Sequence, residues 1–223
     1  MAEINVKPYD VVILGASGFT GKYVVREALK FLNTPDSPLK SLALAGRSPS
    51  RLSHALQWAG GPKQAQGIPL LCADTSDPDS LDRLASQARI VLNCVGPYRL
   101  HGQPEVAACV ESGCDYLDIC GELEFMERME ATYHDEAVKN GSLLVSACGF
   151  DTVAAEMGML FHSSYWAGAS APSRVEAYLS LESDRRIGAN YATYESAVLG
   201  VANADKLAEL RRSSRRRPLP KVI

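Results

Sequence analysis

The chain has 223 residues, a formal net charge of −3 and 46% hydrophobic residues. That length supports one full domain and part of a second, and the near-neutral charge lacks the electrostatic footprint of a general nucleic-acid or membrane-surface binder. No apolar run approaches the roughly 18–20 residues of a membrane span, and the start MAEINVKPYD has neither a secretory apolar core nor the Arg-rich character of a transit peptide, so we expect an intracellular, cytoplasmic chain with peripheral membrane contact left open.

Val11 to Leu14 is a short apolar run that reads as a buried strand and stops at Gly15. Gly18 and Gly21 follow at three-residue steps. Val24, Val25, Ala28, Leu29 and Leu32 then recur at helical spacing, opposite Lys22, Arg26, Glu27 and Lys30. Strand, glycine turn and helix form the context in which a dinucleotide fingerprint counts. A helix N-terminus carries unpaired N–H groups and partial positive charge, so it attracts phosphate. In this reading Gly15 turns the chain off the strand, Gly18 leaves room for the pyrophosphate, and Gly21 lets the helix pack closely. Ala16, Ser17, Phe19 and Thr20 complete the loop, with hydroxyl donors at Ser17 and Thr20. The spacing is G-x-x-G-x-x-G, and a plain strand-to-helix turn is the alternative.

Asn33 to Lys40 reads as a loop, and Ser41 to Ala45 as a second strand ending in Gly46-Arg47-Ser48-Pro49. Many NAD sites place an acid at this point to hold the ribose hydroxyls. Here stand Arg47 and then Ser48, an expected N-cap with Pro49 at the first helical position. A cation beside a helix N-terminus suits an extra phosphate, so the cofactor reads as NADP(H); an ordinary surface arginine is the alternative. The helix should present Leu52, Ala55, Leu56 and Ala59 inward and break at Gly60-Gly61-Pro62. Ile68 to Ala73 reads as a third strand ending at Asp74, a residue for the adenine or simply a turn aspartate. Asp77-Pro78 opens a helix with Leu81, Leu84, Ala85 and Ala88 inward.

Arg89 to Val95 is the expected fourth strand, leading to Gly96-Pro97-Tyr98. Ligands of open α/β sheets lie beyond the carboxyl ends of the strands, so Asn93, Gly96, Pro97 and Tyr98 should face the nicotinamide half. Pro104 to Ser112 reads as a short helix stopped by Gly113. Tyr116 to Ile119 is a fifth strand, ending in Asp118-Ile119-Cys120-Gly121-Glu122. Phe125, Met126, Met129, Tyr133 and Ala137 mark a long helix ending at Asn140-Gly141, and Leu143 to Ala147 is a sixth strand. A helix through Phe161 should then start at Asp151 as its cap. The fold class that follows is α/β, a Rossmann-like doubly wound parallel sheet over residues 1–164.

Residues 165–223 read as the start of a second, mixed α+β domain. SSYWAGASAPS is a linker by composition. Val175, Ala177, Leu179 and Leu181 alternate like a half-exposed strand, Glu195 to Leu210 looks helical, and five arginines lie between Arg211 and Arg217 in a basic tail. The six cysteines form no C-x-x-C and the histidines show no metal-ligand spacing, so the thiols read as reduced small hydrophobes and no metal is expected.

GASGFTG, LALAGRS, VLNCVGPY, DICGE and SACGFDTVAAEMG, in that order, resemble the saccharopine dehydrogenase-like oxidoreductases of the plant type, and the chain is also similar to trans-acting enoyl reductases. The resemblance implies Gly15, Gly18 and Gly21 on a pyrophosphate. It also implies a second domain closing over the nicotinamide, and longer members than this chain, which then reads as C-terminally truncated. It further implies association with lipid droplets or mitochondria and a role in lipid metabolism. The expected activity is hydride transfer between NADP(H) and a small or lipid-like unsaturated substrate, with Tyr98 and Asp118 as candidates for moving the accompanying proton. A sensor or interaction module that binds NADP(H) without turnover is the alternative. Homodimerisation is a further expectation, from exposed apolar surface in an unfinished second domain. An extended short-chain dehydrogenase also carries G-x-x-G-x-x-G, but it needs a tyrosine followed four residues later by lysine, and no tyrosine here has one.

Overall fold

A computed structural model of the chain describes residues 7–32, 34–64, 67–166, 174–188 and 190–213. Asn33, most of the linker and the arginines of the tail beyond Ser213 lie outside the described residues.

The buried runs form a six-stranded parallel sheet in the order β3-β2-β1-β4-β5-β6. The strands are β1 (Tyr9–Leu14), β2 (Leu42–Gly46), β3 (Leu70–Cys72), β4 (Ala88–Asn93), β5 (Asp115–Asp118) and β6 (Leu144–Val145). Between and after them run α1 (Phe19–Phe31), α2 (Pro49–Gln64), α3 (Pro78–Gln87), α4 (Tyr98–Glu111), α5 (Leu123–Asn140) and α6 (Phe150–Ser164). This is the doubly wound arrangement with its switch point between β1 and β4.

Alternation along β1 builds the three layers. Ile13 joins Val25, Leu29, Leu52 and Leu56 of α1 and α2 on one face. Val12 and Leu14 join Leu81, Val106 and Phe125 of α3, α4 and α5 on the other. Each fully buried Leu, Ile or Phe contributes about 1.5–3 kcal/mol. The expected inward residues of α3 are all buried, and Gly61, at φ +67°, interrupts α2 where the glycine pair stands.

Four expectations need correction. α4 starts at Tyr98, six residues before Pro104, which lies inside the helix. Its first turn is held by tertiary partners described below, which outweigh the local preference for proline at a helix start. The N-cap of α6 is Gly149, and Asp151 sits in the first turn without capping it. Residues 174–183 form no strand: Val175, Leu179 and Leu181 are exposed and nothing pairs with them among the described residues, because alternation builds a sheet face only when a second layer covers it. The expected helix near Glu195 is two helices, α7 (Tyr191–Ala202) and α8 (Ala204–Ser213), parted at Asn203.

Candidate functional site

The strand registers align four carboxyl ends along one edge of the sheet. Leu14 pairs with Ala45 and with Asn93, and Asn93 pairs with Asp118. Everything the sequence singled out therefore leaves the sheet on the same side.

Gly15 takes φ +77°, and its amide donates to the Ala45 carbonyl at 2.9 Å. A Cβ there would sit 2.7 Å from Val95 and 3.1 Å from the Cys94 backbone, so the turn after β1 lies directly against the turn after β4. A Cβ on Gly21 would fall 2.2 Å from the Gly15 carbonyl oxygen, so α1 packs onto the turn itself. Gly18 is the N-cap of α1, with extended backbone and no side-chain cap, and no acid occupies the first turn. The amides of Ser17, Phe19 and Thr20 find no acceptor among the described residues. Ala16 is buried, while Phe19 and Thr20 are exposed. The result is a helix start with unpaired donors, positive dipole and no protein carboxylate, which fits a diphosphate.

Arg47 follows β2 on the surface and makes no ion pair among the described residues. Ser48 Oγ accepts weakly from the Arg51 amide at 3.5 Å, as a cap at the start of α2. Asp74, after β3, accepts from the Ser76 amide at 2.9 Å in a local turn. That bond holds its carboxyl below the ordinary value, with the Arg47 guanidinium adding to the effect.

The turn after β4 is tied at both ends. Asn93 is wholly buried; its Oδ1 accepts from the Val95 amide at 2.8 Å and its Nδ2 donates to the Tyr116 hydroxyl at 3.3 Å. The Tyr98 hydroxyl donates back to the Asn93 carbonyl at 2.9 Å. Between them lie Cys94, Val95, Gly96 and Pro97, with a cis bond at Gly96–Pro97. Burial raises the Tyr98 phenol, with Cys94 and Asp118 adding to the effect, and raises the Cys94 thiol to about 12.

Asp118 is also wholly buried. It accepts from the amides of Cys120 and Ala147, each at 2.9 Å, and from the Ser146 hydroxyl at 3.1 Å. Burial raises its carboxyl despite these bonds. Ala147 takes φ +61°, a strained position for a residue with a side chain, and the Asp118 bond secures it. Asn93, Tyr98 and Asp118 thus turn their polar groups inward. They fix the shape of the turns, and none of the three polar groups faces outward toward a ligand.

One residue escaped the sequence reading. Glu122, 7% exposed, accepts from the Tyr98 amide at 2.8 Å and from the Arg99 amide at 2.9 Å, so a carboxylate from the next crossover caps α4. It lies 24 positions from Tyr98, beyond the reach of any local capping signature. Among the described residues no cluster of His, Cys, Asp or Glu could hold a metal ion, and no helix is long and apolar enough to cross a membrane.

Comparison with known proteins identifies a family and a fold. Residues 11–145 match the family model of the saccharopine dehydrogenase NADP binding domain. A "probable mitochondrial saccharopine dehydrogenase-like oxidoreductase" of Arabidopsis thaliana is 66% identical over 96% of the chain and 48% of its own length. A lipid droplet localized protein of Caenorhabditis elegans is 38% identical over 92% of the chain and 48% of its own length. A trans-acting enoyl reductase of Mycobacterium bovis is 35% identical over 86% of the chain and 45% of its own length. The chain therefore spans about half the length of these relatives. Among solved structures, the saccharopine dehydrogenase (L-Glu forming) of Saccharomyces cerevisiae superposes with a TM-score of 0.51 at 15% identity, over 70% of this chain and 32% of that one, a likeness of fold.

Proposed function

This chain belongs to the saccharopine dehydrogenase-like oxidoreductases, and from that premise we propose that it holds NADP(H) for hydride transfer to or from a small or lipid-like unsaturated substrate. The observation that carries this reading is the start of α1, with amides unpaired among the described residues, no acid in its first turn, and Gly15 and Gly21 at positions that leave no room for a side chain. Gly15 to Gly21 would hold the pyrophosphate. Arg47, Ser48 and the start of α2 would hold the 2′-phosphate, Asp74 the adenine side, and Gly96-Pro97 the floor under the nicotinamide. When bound, the dinucleotide supplies or accepts a hydride at the nicotinamide C4.

The chain's own contribution is orientation. The turns after β1 and β4 touch through Gly15 and Val95, so the two halves of the ligand rest on one rigid junction. Asn93, Tyr98 and Asp118 support that junction from inside, and we read them as positioning groups. A lipid-like acceptor draws support from the relatives named for lipid droplets and for enoyl reduction. Residues 165–223 would begin the domain that receives it.

The sensor alternative is favoured by the inward commitment of Tyr98 and Asp118. The 223-residue chain, mixed with NADPH and either α,β-unsaturated acyl thioesters or imines, separates the two. Loss of dihydronicotinamide absorbance supports the reductase; saturable binding with no turnover of any substrate supports the sensor.

A further inference from the structure

We propose that Glu122 is a positioning residue for the nicotinamide end of the site, acting through the turn Cys94–Pro97; the inference rests on the cofactor reading above. Two helices begin beside the switch point. The N-terminus of α1 has no protein cap, whereas that of α4 is filled by the Glu122 carboxylate, whose two oxygens accept from the Tyr98 and Arg99 amides at 2.8 and 2.9 Å. A carboxylate in that place satisfies two orphan donors and the helix dipole together. It also closes this helix start to a second anion, which leaves α1 as the receiving end.

The consequence reaches the turn because Tyr98 is both the first residue of α4 and the last anchor of Cys94–Pro97. Its amide is held by Glu122 and its hydroxyl by the Asn93 carbonyl, so backbone and side chain are pinned from opposite directions. Val95, inside the turn, abuts Gly15 of the phosphate-facing turn. Glu122 also accepts from the Ser196 hydroxyl of α7 at 2.9 Å. The same carboxylate thereby joins the turn after β4 to the helices that follow the sheet, and movement of α7 would be felt at the nicotinamide floor.

Glu122→Gln keeps the shape but removes the charge and turns one acceptor into a donor facing an amide. In the 223-residue chain we expect it to weaken NADPH about tenfold, the effect of one charge-assisted bond, and to abolish the rise in nicotinamide fluorescence on binding. Affinity for 2′,5′-ADP, which lacks the nicotinamide, should stay within about twofold. Equal weakening of both ligands, or an unchanged NADPH affinity, overturns the assignment. If the variant shows no cooperative melting transition, Tyr98→Phe reads the same turn from its other anchor and should give the same split between ligands; equal loss of both again overturns it. Failure of the unsubstituted chain to bind either ligand overturns the cofactor reading, and this inference with it.

Discussion

Arg47 stands one position past β2, where an acid would repel a 2′-phosphate, and its guanidinium has no ion-pair partner among the described residues. Arg47→Ala should therefore weaken NADPH by about tenfold or more while changing NADH little. Titration of both dinucleotides checks this, and equal loss for the two would remove Arg47 from the phosphate. A second residue-scale property lies away from the site. Glu105 on α4 is fully buried, with Oε1 near the Cys109 thiol at 3.6 Å and Oε2 without a hydrogen-bond partner. Burial, with the Asp82 charge adding to it, raises this carboxyl from the ordinary 4.5 to about 8. Between those values the folded chain keeps a proton that the unfolded chain has lost, so stability falls as pH climbs through that window and levels off above it. The full change is on the order of 5 kcal/mol. Urea unfolding of Glu105→Gln at pH values across the window should show that slope removed; an unchanged slope would mean other groups cause it.

At the scale of elements, β6 is the weakest member of the sheet. It pairs with β5 through only Tyr116↔Leu144 and Leu117↔Val145. Two aspartates extend the hold: Asp115 accepts from the Leu143 amide at 2.9 Å, and Asp118 accepts from Ala147 at the same distance. Asp118→Ala leaves the buried amide of Cys120 and the half-buried amide of Ala147 without their acceptor, at a cost of about 2 kcal/mol or more. Hydrogen exchange should speed in β6 and the start of α6 while β1 keeps its protection; uniform acceleration would show that Asp118 supports the whole sheet. These elements also show what the chain's letters reveal. The β1–α1 unit was legible because strand, positive-φ glycine and amphipathic helix are all local signals. The start of α4 was not, because Pro104 mimics a helix start and the true cap lies on the next crossover. The inward turn of Asn93 was equally hidden, since it depends on Tyr116 from another strand. The alternation at Val175–Leu181 misled because period two describes a surface and does not supply its cover.

Over the whole molecule, the sheet is covered on both faces, but every residue of α6 is exposed, Phe150, Met157 and Phe161 among them. An apolar helix in water is a sticky surface. The 223-residue chain should bind an apolar fluorescent dye, and replacing Phe150 and Phe161 by Ser should lower that signal without shifting the melting transition. A large loss of melting temperature would mean that these rings pack against the chain after all. At this scale the proposed binding edge depends on one junction, where the bare start of α1 meets the sheet. The most direct test is calorimetric titration of NADPH into the chain and into Gly18→Val. The extended backbone of Gly18 is a conformation open to any residue, a Cβ there would need only a small shift of the Gly15 carbonyl oxygen, 3.1 Å away, and the amides beside it would be screened by the side chain. Binding should be saturable and one-to-one, competed by 2′,5′-ADP and lost in a Gly18→Val variant that still melts cooperatively. Undiminished NADPH binding by that folded variant would contradict the cofactor reading.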